Sequence, residues 1–212
     1  MPAIASRTVD TRALLACGVI AGVFYAAADL IGGLHWRGYS FRTTTISELN
    51  AIGSPSRAIV APLFFVYILG SIAFGFGVWA TARTRALRVT GGILIALGLV
   101  NVLGPVFPIH LRGVEPTFTD AMHVALTSVT VALILASITA GAIALRGWFR
   151  VYSVITLAVL FVCGALSAMQ GGAMAEGDET PWIGLLERIN VHGAMLWNAV
   201  LAVTLQRQLR EP

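Results

Sequence analysis

Six stretches of roughly 20 apolar residues follow one another through this chain of 212 residues, and they limit its fold more than any other feature. A helix rises about 1.5 Å per residue, so a stretch of that length crosses a hydrocarbon core of about 30 Å. The stretches run Ala13 to Ile31, Ala58 to Thr81, Val89 to Phe107, Ala121 to Leu145, Trp148 to Met169 and Ile183 to Leu205. Lipid offers no partner to backbone N–H and C=O groups, so each stretch must form a helix. The expectation is an all-α, polytopic membrane protein: a single transmembrane domain over residues 1–212, built as a six-helix bundle. Composition agrees, at 57% hydrophobic and 11% charged against about 25% charged for a soluble domain. Such a chain is neither a soluble globule nor disordered, and Cys17 and Cys163 are too few for a disulfide scaffold. All fourteen basic residues are arginine, and the net charge of +4 points to anionic membrane lipids as partners rather than nucleic acid.

Arginine also sets the expected orientation, because arginines near span ends are retained on the cytoplasmic side. Arg7, Arg12, Arg83, Arg85, Arg88, Arg146, Arg150, Arg207 and Arg210 fall on the side of the termini, against Arg37, Arg42, Arg57, Arg112 and Arg188 opposite. Nine against five predicts a multi-pass protein of the plasma (inner) membrane with both termini cytoplasmic. The first apolar run is longer than the core of a secretory signal and lacks a convincing cleavage site, so it reads as a retained helix. Connections of a few residues at Arg83 and Arg146 make spans 2 and 3, and spans 4 and 5, antiparallel neighbours.

On this topology the ionisable residues gather on the outer side. His35, His110, His123 and His192 lie there, with Asp29, Glu48, Glu115, Asp120, Glu176, Asp178, Glu179 and Glu187; only Asp10 and Glu211 are acidic and cytoplasmic. The outer connections are also the long ones. In the first, Thr45 and Glu48 have capping-box spacing, Leu49 and Ile52 share a face and Gly53 can end the turn, which predicts a short re-entrant or interfacial helix. Two readings of Glu48 stand: part of a structural plug, or a ligand or base at the mouth of the bundle.

Asp120 and His123, at i and i+3, share a helix face that continues through Thr127, Thr130 and Ser137, a polar stripe expected to turn inward. Asp120 is equally explained as a carboxylate at the positive end of the helix dipole. Gly18, Gly22 and Ala26 form a small-residue seam in the first span, and Asp29 continues it toward protein, as a ligand or as a partner for His123 or an arginine. Asn101 reads as an interhelical hydrogen-bonding residue, and Pro105 and Pro108 as ending the third span so that His110 hangs in the outer loop. In the sixth span Glu187 and His192 lie about 140° apart, so one of them, His192, is expected to face the bundle.

No zincin His pair, Cys-x-x-Cys, Gly-x-Ser-x-Gly, phosphate-binding glycine loop or haem-attachment sequence occurs. Cys17 and Cys163 lie toward opposite ends of their spans and read as small core residues. Glu176 to Glu179 reads as a solvated loop, with a weak hard-cation site as the alternative.

With Thr45 to Pro55, Phe107-Pro108, Asp120-x-x-His123 and Asn190-Val-His-Gly193 in place, the chain resembles, over nearly its whole length, the bacterial and archaeal membrane family labelled domain of unknown function 998. A looser similarity to Frag1/DRAM/Sfk1-like proteins rests on the first loop. The resemblance implies a compact six-helix membrane protein and no established reaction. Two functions compete. In one, the outer cluster is a structural cap on a non-enzymatic lipid-binding, assembly or stress-related component. In the other, Asp29, Asp120, His123 and His192 hold zinc or a similar ion, and Glu48, Asp120 and His123 act in hydrolysis of a lipid or another amphiphile. A variant makes His123 and His192 axial ligands of a haem. A transporter ranks last, since no internal repeat or deep charge is evident.

Overall fold

A computed structural model describes residues 10–210 of the chain. Arg7 and Glu211, used above in the charge argument, lie outside them. The described residues form α1 (Thr11–His35), α2 (Ile46–Leu49), α3 (Arg57–Thr81), α4 (Arg85–Asn101), α5 (Phe118–Ala144), α6 (Trp148–Ala168), α7 (Gly171–Glu176) and α8 (Ile183–Gln208), with a single 3-10 turn at Gly104–Val106. No strand is present among the described residues, only an isolated bridge between Ile52 and His110.

The six long helices pack as a closed ring of neighbours: α1 on α3, α3 on α4, α4 on α5, α5 on α6, α6 on α8, and α8 back on α1. The two neighbour pairs expected from the short turns, α3 with α4 and α5 with α6, are among them. Five helices are long and apolar enough to cross a membrane: α1, α3, α4 with its 3-10 extension, α5, and α6 with α7. The expected sixth span coincides with α8, whose 26 residues match the others in length but carry too many polar groups to join that set.

Inside the ring lies a core of Leu15, Phe74, Val78, Phe149, Trp197 and Leu201, while Val23, Phe65, Val124 and Phe161 are exposed on helix flanks as lipid-crossing helices require. The fully buried Trp197 indole donates to Ser153 Oγ at 2.9 Å, giving its one polar atom a partner. Most helix hydroxyls do likewise locally: Ser71, Thr90, Ser128, Thr139 and Thr156 each donate to the carbonyl four residues back.

Two sequence expectations about faces need correction. The seam of α1 is Gly18, Ala21, Ala28 and Gly32, with Asp29 buried beside it, and Ala26 is exposed. Steps of four residues advance about 400° and drift off a face by 40° each, so Gly18 and Ala26 part company while Gly18 and Asp29 stay together. In α5 the polar stripe does not hold as a unit. Thr127 is exposed, Ser137 donates to its own helix at Ile134 O, and of these three hydroxyls only that of Thr130 reaches across, to Asn101 Oδ1 at 3.3 Å. Asn101 is interhelical as expected, its Nδ2 donating to Tyr67 Oη at 3.3 Å.

The ring has two different ends. At one, the turns of residues 82–84 and 145–147 are tight, and Arg12 Nη2 donates to Leu209 O while Gln206 Nε2 donates to Arg12 O, which ties the start of α1 to the end of α8. At the other, three long connections fold over the bundle.

Candidate functional site

The connection between α1 and α3 forms the centre of that second end. Thr45 and Glu48 make the expected capping box: Thr45 N donates to Glu48 Oε2 at 2.7 Å, and Glu48 N donates to Thr45 Oγ1. The helix it starts is a single turn, ending at Leu49. Leu49 is therefore fully buried while Ile52, expected on the same face, lies beyond the helix and is partly exposed, its N–H donating to Ile109 O at 2.7 Å. Gly53, at φ +88°, permits the turn that follows.

Glu48 does more than cap. It is 1% exposed, and Arg112, from the connection between α4 and α5, grips it as a fork: Nε to Oε1 at 2.7 Å and Nη2 to Oε2 at 2.6 Å. Arg112 also donates to Thr180 Oγ1, from the connection before α8, and to Thr43 O. One guanidinium thus joins all three long connections at this end, and the carboxylate beside it holds it charged, above its ordinary range. Glu187, from the second turn of α8, accepts from Ile46 N and from Ser47 Oγ, so it holds the α2 turn from below.

A second ion pair lies a turn deeper. Asp29 of α1 is 5% exposed and Arg188 of α8 is 8% exposed. Their contact is bidentate, Nη2 to Oδ1 at 2.7 Å and Nε to Oδ2 at 3.1 Å, and His192 Nε2 sits 2.9 Å from the same Oδ2. The remaining nitrogen of Arg188, Nη1, donates to the carbonyls of Phe41, Thr44 and Gly184, and Nη2 also donates to Tyr39 Oη. Burial pushes the Tyr39 phenol above its ordinary range, so it keeps its proton and donates to Thr45 O at 2.9 Å. Gly184 permits this approach, since a Cβ there would strike the Thr44 carbonyl. Arg42 completes the seal, stacked 3.7 Å over the Trp182 ring with Nε donating to Pro181 O.

A third cluster stands apart. Asp120 accepts from His110 N at 2.7 Å, from His110 Nδ1 at 2.9 Å, and from Thr117 N and Oγ1. His110 is therefore tied to the start of α5 rather than hanging free. His123 turns away from Asp120 and donates from Nδ1 to Phe107 O at 3.0 Å.

The structure thus distributes the sequence-derived site residues over separate partners. It brings Asp29 to His192, but it does not bring that pair to Asp120 or His123, nor Asp120 to the His123 that shares its face. Among the described residues no three His, Cys, Asp or Glu side chains come together as a metal-holding group. Glu48 faces Arg112 and its own helix. Glu187 and His192 both face protein despite their 140° separation, because α2 lies over the end of α8 while α1 lies along its side. Cys17 and Cys163 are both free. Glu176, Asp178 and Glu179 are exposed in the turn closed by Gly177.

Arg112, Arg188 and Tyr39 escaped the sequence reading as site residues. Their signal was present: two arginines on the side disfavoured for arginine, one of them inside an apolar span, where an unpaired charge is untenable. The spacing carried no hint of the partners.

The chain belongs to the family described as Protein of unknown function (DUF998), whose family model matches residues 19–204. No curated protein and no solved structure matches it.

Proposed function

We propose that this family member is a non-enzymatic component of the plasma membrane, acting in lipid binding or assembly, with six spans, cytoplasmic termini and an outer mouth closed by ion pairs. One observation carries the reading. All eight carboxylate oxygens of Asp29, Glu48, Asp120 and Glu187 accept hydrogen bonds from protein donors. A general base or metal ligand needs an oxygen turned toward substrate or ion, and these oxygens fasten loops to helices instead.

Six spans are supported by the hydrogen bonds between Arg12 and the end of α8, since a ring closed with both chain ends together needs an even number of crossings. The orientation draws on the fate of the outer arginines. Arg42, Arg112 and Arg188 are each held by protein partners, as are Arg12 and Arg150 at the other end, which leaves Arg37 and Arg57 against Arg83, Arg85, Arg88, Arg146, Arg207 and Arg210 without a side-chain hydrogen bond among the described residues and sharpens the cytoplasmic bias.

A second reading, a metal-dependent hydrolase, has one observation in its favour. His192 holds Asp29 through Nε2, its side chain is 36% exposed, and its Nδ1 has no partner among the described residues, the arrangement in which a carboxylate orients a ligating imidazole.

Orientation is tested by labelling single cysteines in a chain whose Cys17 and Cys163 are replaced by alanine. Glu179→Cys reacts with an impermeant maleimide in intact cells, and Arg146→Cys only after permeabilisation. The reverse pattern would overturn the topology.

A further inference from the structure

We infer that the tight-turn end of the bundle, opposite the ion-pair cap, holds a binding site for the phosphate of an anionic phospholipid. A cavity of about 80 Å³ opens there between the turn after α3 and the end of α8. That is room for a few waters at about 30 Å³ each, or for one phosphate group. Its rim is made of donors. Arg83, Thr84 and Gln208 line it, and among the described residues none of the three donates a side-chain hydrogen bond to protein; Thr84 Oγ1 accepts from Leu87 N and keeps its proton to give. Its walls are apolar, with Leu87, Ala144 and Leu205.

The charge around the cavity is one-sided. Arg83, Arg85, Arg88, Arg146, Arg150, Arg207 and Arg210 cluster at this end, and the acidic residues near it in sequence are Asp10 and Glu211. Asp10 caps α1 by accepting from Arg12 N at 2.9 Å. At the other end the arginines Arg112 and Arg188 are paired with carboxylates; here no carboxylate among the described residues pairs with Arg83. Five of the helices that end at these two faces are apolar enough to cross a membrane, so the cavity sits at headgroup depth. An anionic headgroup supplies the missing charge and its glycerol and acyl carbons suit the leucine walls, whereas free phosphate gains nothing from them. The inference deepens the lipid-binding reading by naming a site, and it holds whichever leaflet this end faces.

Native mass spectrometry of the full chain in detergent tests it, with phosphatidylglycerol, phosphatidylcholine and inorganic phosphate as probes. One phosphatidylglycerol is expected to bind about tenfold more tightly than phosphatidylcholine, with Arg83→Gln removing that preference and Arg88→Gln, outside the cavity, keeping it within about twofold. Ala144→Leu, which fills the wall, weakens binding without altering charge. Equal binding of the two lipids, equal loss in both arginine variants, or displacement by equimolar inorganic phosphate would each overturn the site. Such a failure leaves the cysteine-labelling pattern untouched, so the site and the topology stand or fall separately.

Discussion

The Arg112 guanidinium and the Glu48 carboxylate, 64 residues apart in sequence, meet as a two-pronged pair with both contacts at or under 2.7 Å, and the carboxylate at the same time starts the one-turn helix in which it lies. The capping box positions the carboxylate, and the arginine locks three connections onto it.

Glu48→Gln should therefore weaken both functions at once. Because Glu48 is buried while the Arg112 side chain is a quarter exposed, the loss should fall below that of a fully buried pair, at about 2–3 kcal/mol. Thermal denaturation in detergent reads it, and the double variant Glu48→Gln with Arg112→Met should cost less than the sum of the singles. Strict additivity would mean that the two residues do not act as a pair.

Asp29→Ala should be more damaging than any other single change at this end. It leaves the Arg188 charge buried without its ion-pair partner, at about 3–5 kcal/mol, whereas His192→Ala removes a partner that is 36% exposed and should cost about 1 kcal/mol. Melting temperatures should rank the variants in that order. A larger loss for His192→Ala would make the imidazole, and not the guanidinium, the principal partner of Asp29.

Elemental analysis and an absorption spectrum of purified wild type and His123→Ala separate the two functional readings. The expected result is no stoichiometric metal and no haem band in either, with His123→Ala costing only its hydrogen bond to Phe107 O. Near-stoichiometric zinc in the wild type would restore the hydrolase, and its loss in a His192→Ala variant, with retention in His123→Ala, would place it on the imidazole that Asp29 orients.

Close helix contact gives a fourth test. A Cβ at Gly91 would lie 2.6 Å from Trp79 N, backbone that cannot turn aside, while one at Gly104 would meet nothing within 4 Å. Gly91→Ala should force α3 from α4 and cost about 1–3 kcal/mol, and Gly104→Ala should be close to neutral by the same denaturation assay.

The sequence by itself determined what depends on neighbours along the chain. Runs of apolar residues placed the long helices, ending within a few residues of Thr81, Ala144 and Ala168, because backbone in lipid has no other way to satisfy its hydrogen bonds. The Thr45 and Glu48 spacing announced a capping box, and Asn101 announced an interhelical bond, since each is a local or single-residue signal. Only the tertiary structure decided who meets whom. Asp29 and Arg188 are 159 residues apart, and the five arginines and eight carboxylates assigned to that end allow many pairings that spacing cannot rank. Shared helix faces misled for the same reason: Asp120 and His123 point the same way from α5, yet each found a nearer partner in the connection folded over it. The choice was made by the ring of helices and by the order in which its long connections cross one end of it, because a charge removed from water takes whichever counter-charge the packing brings within hydrogen-bond reach.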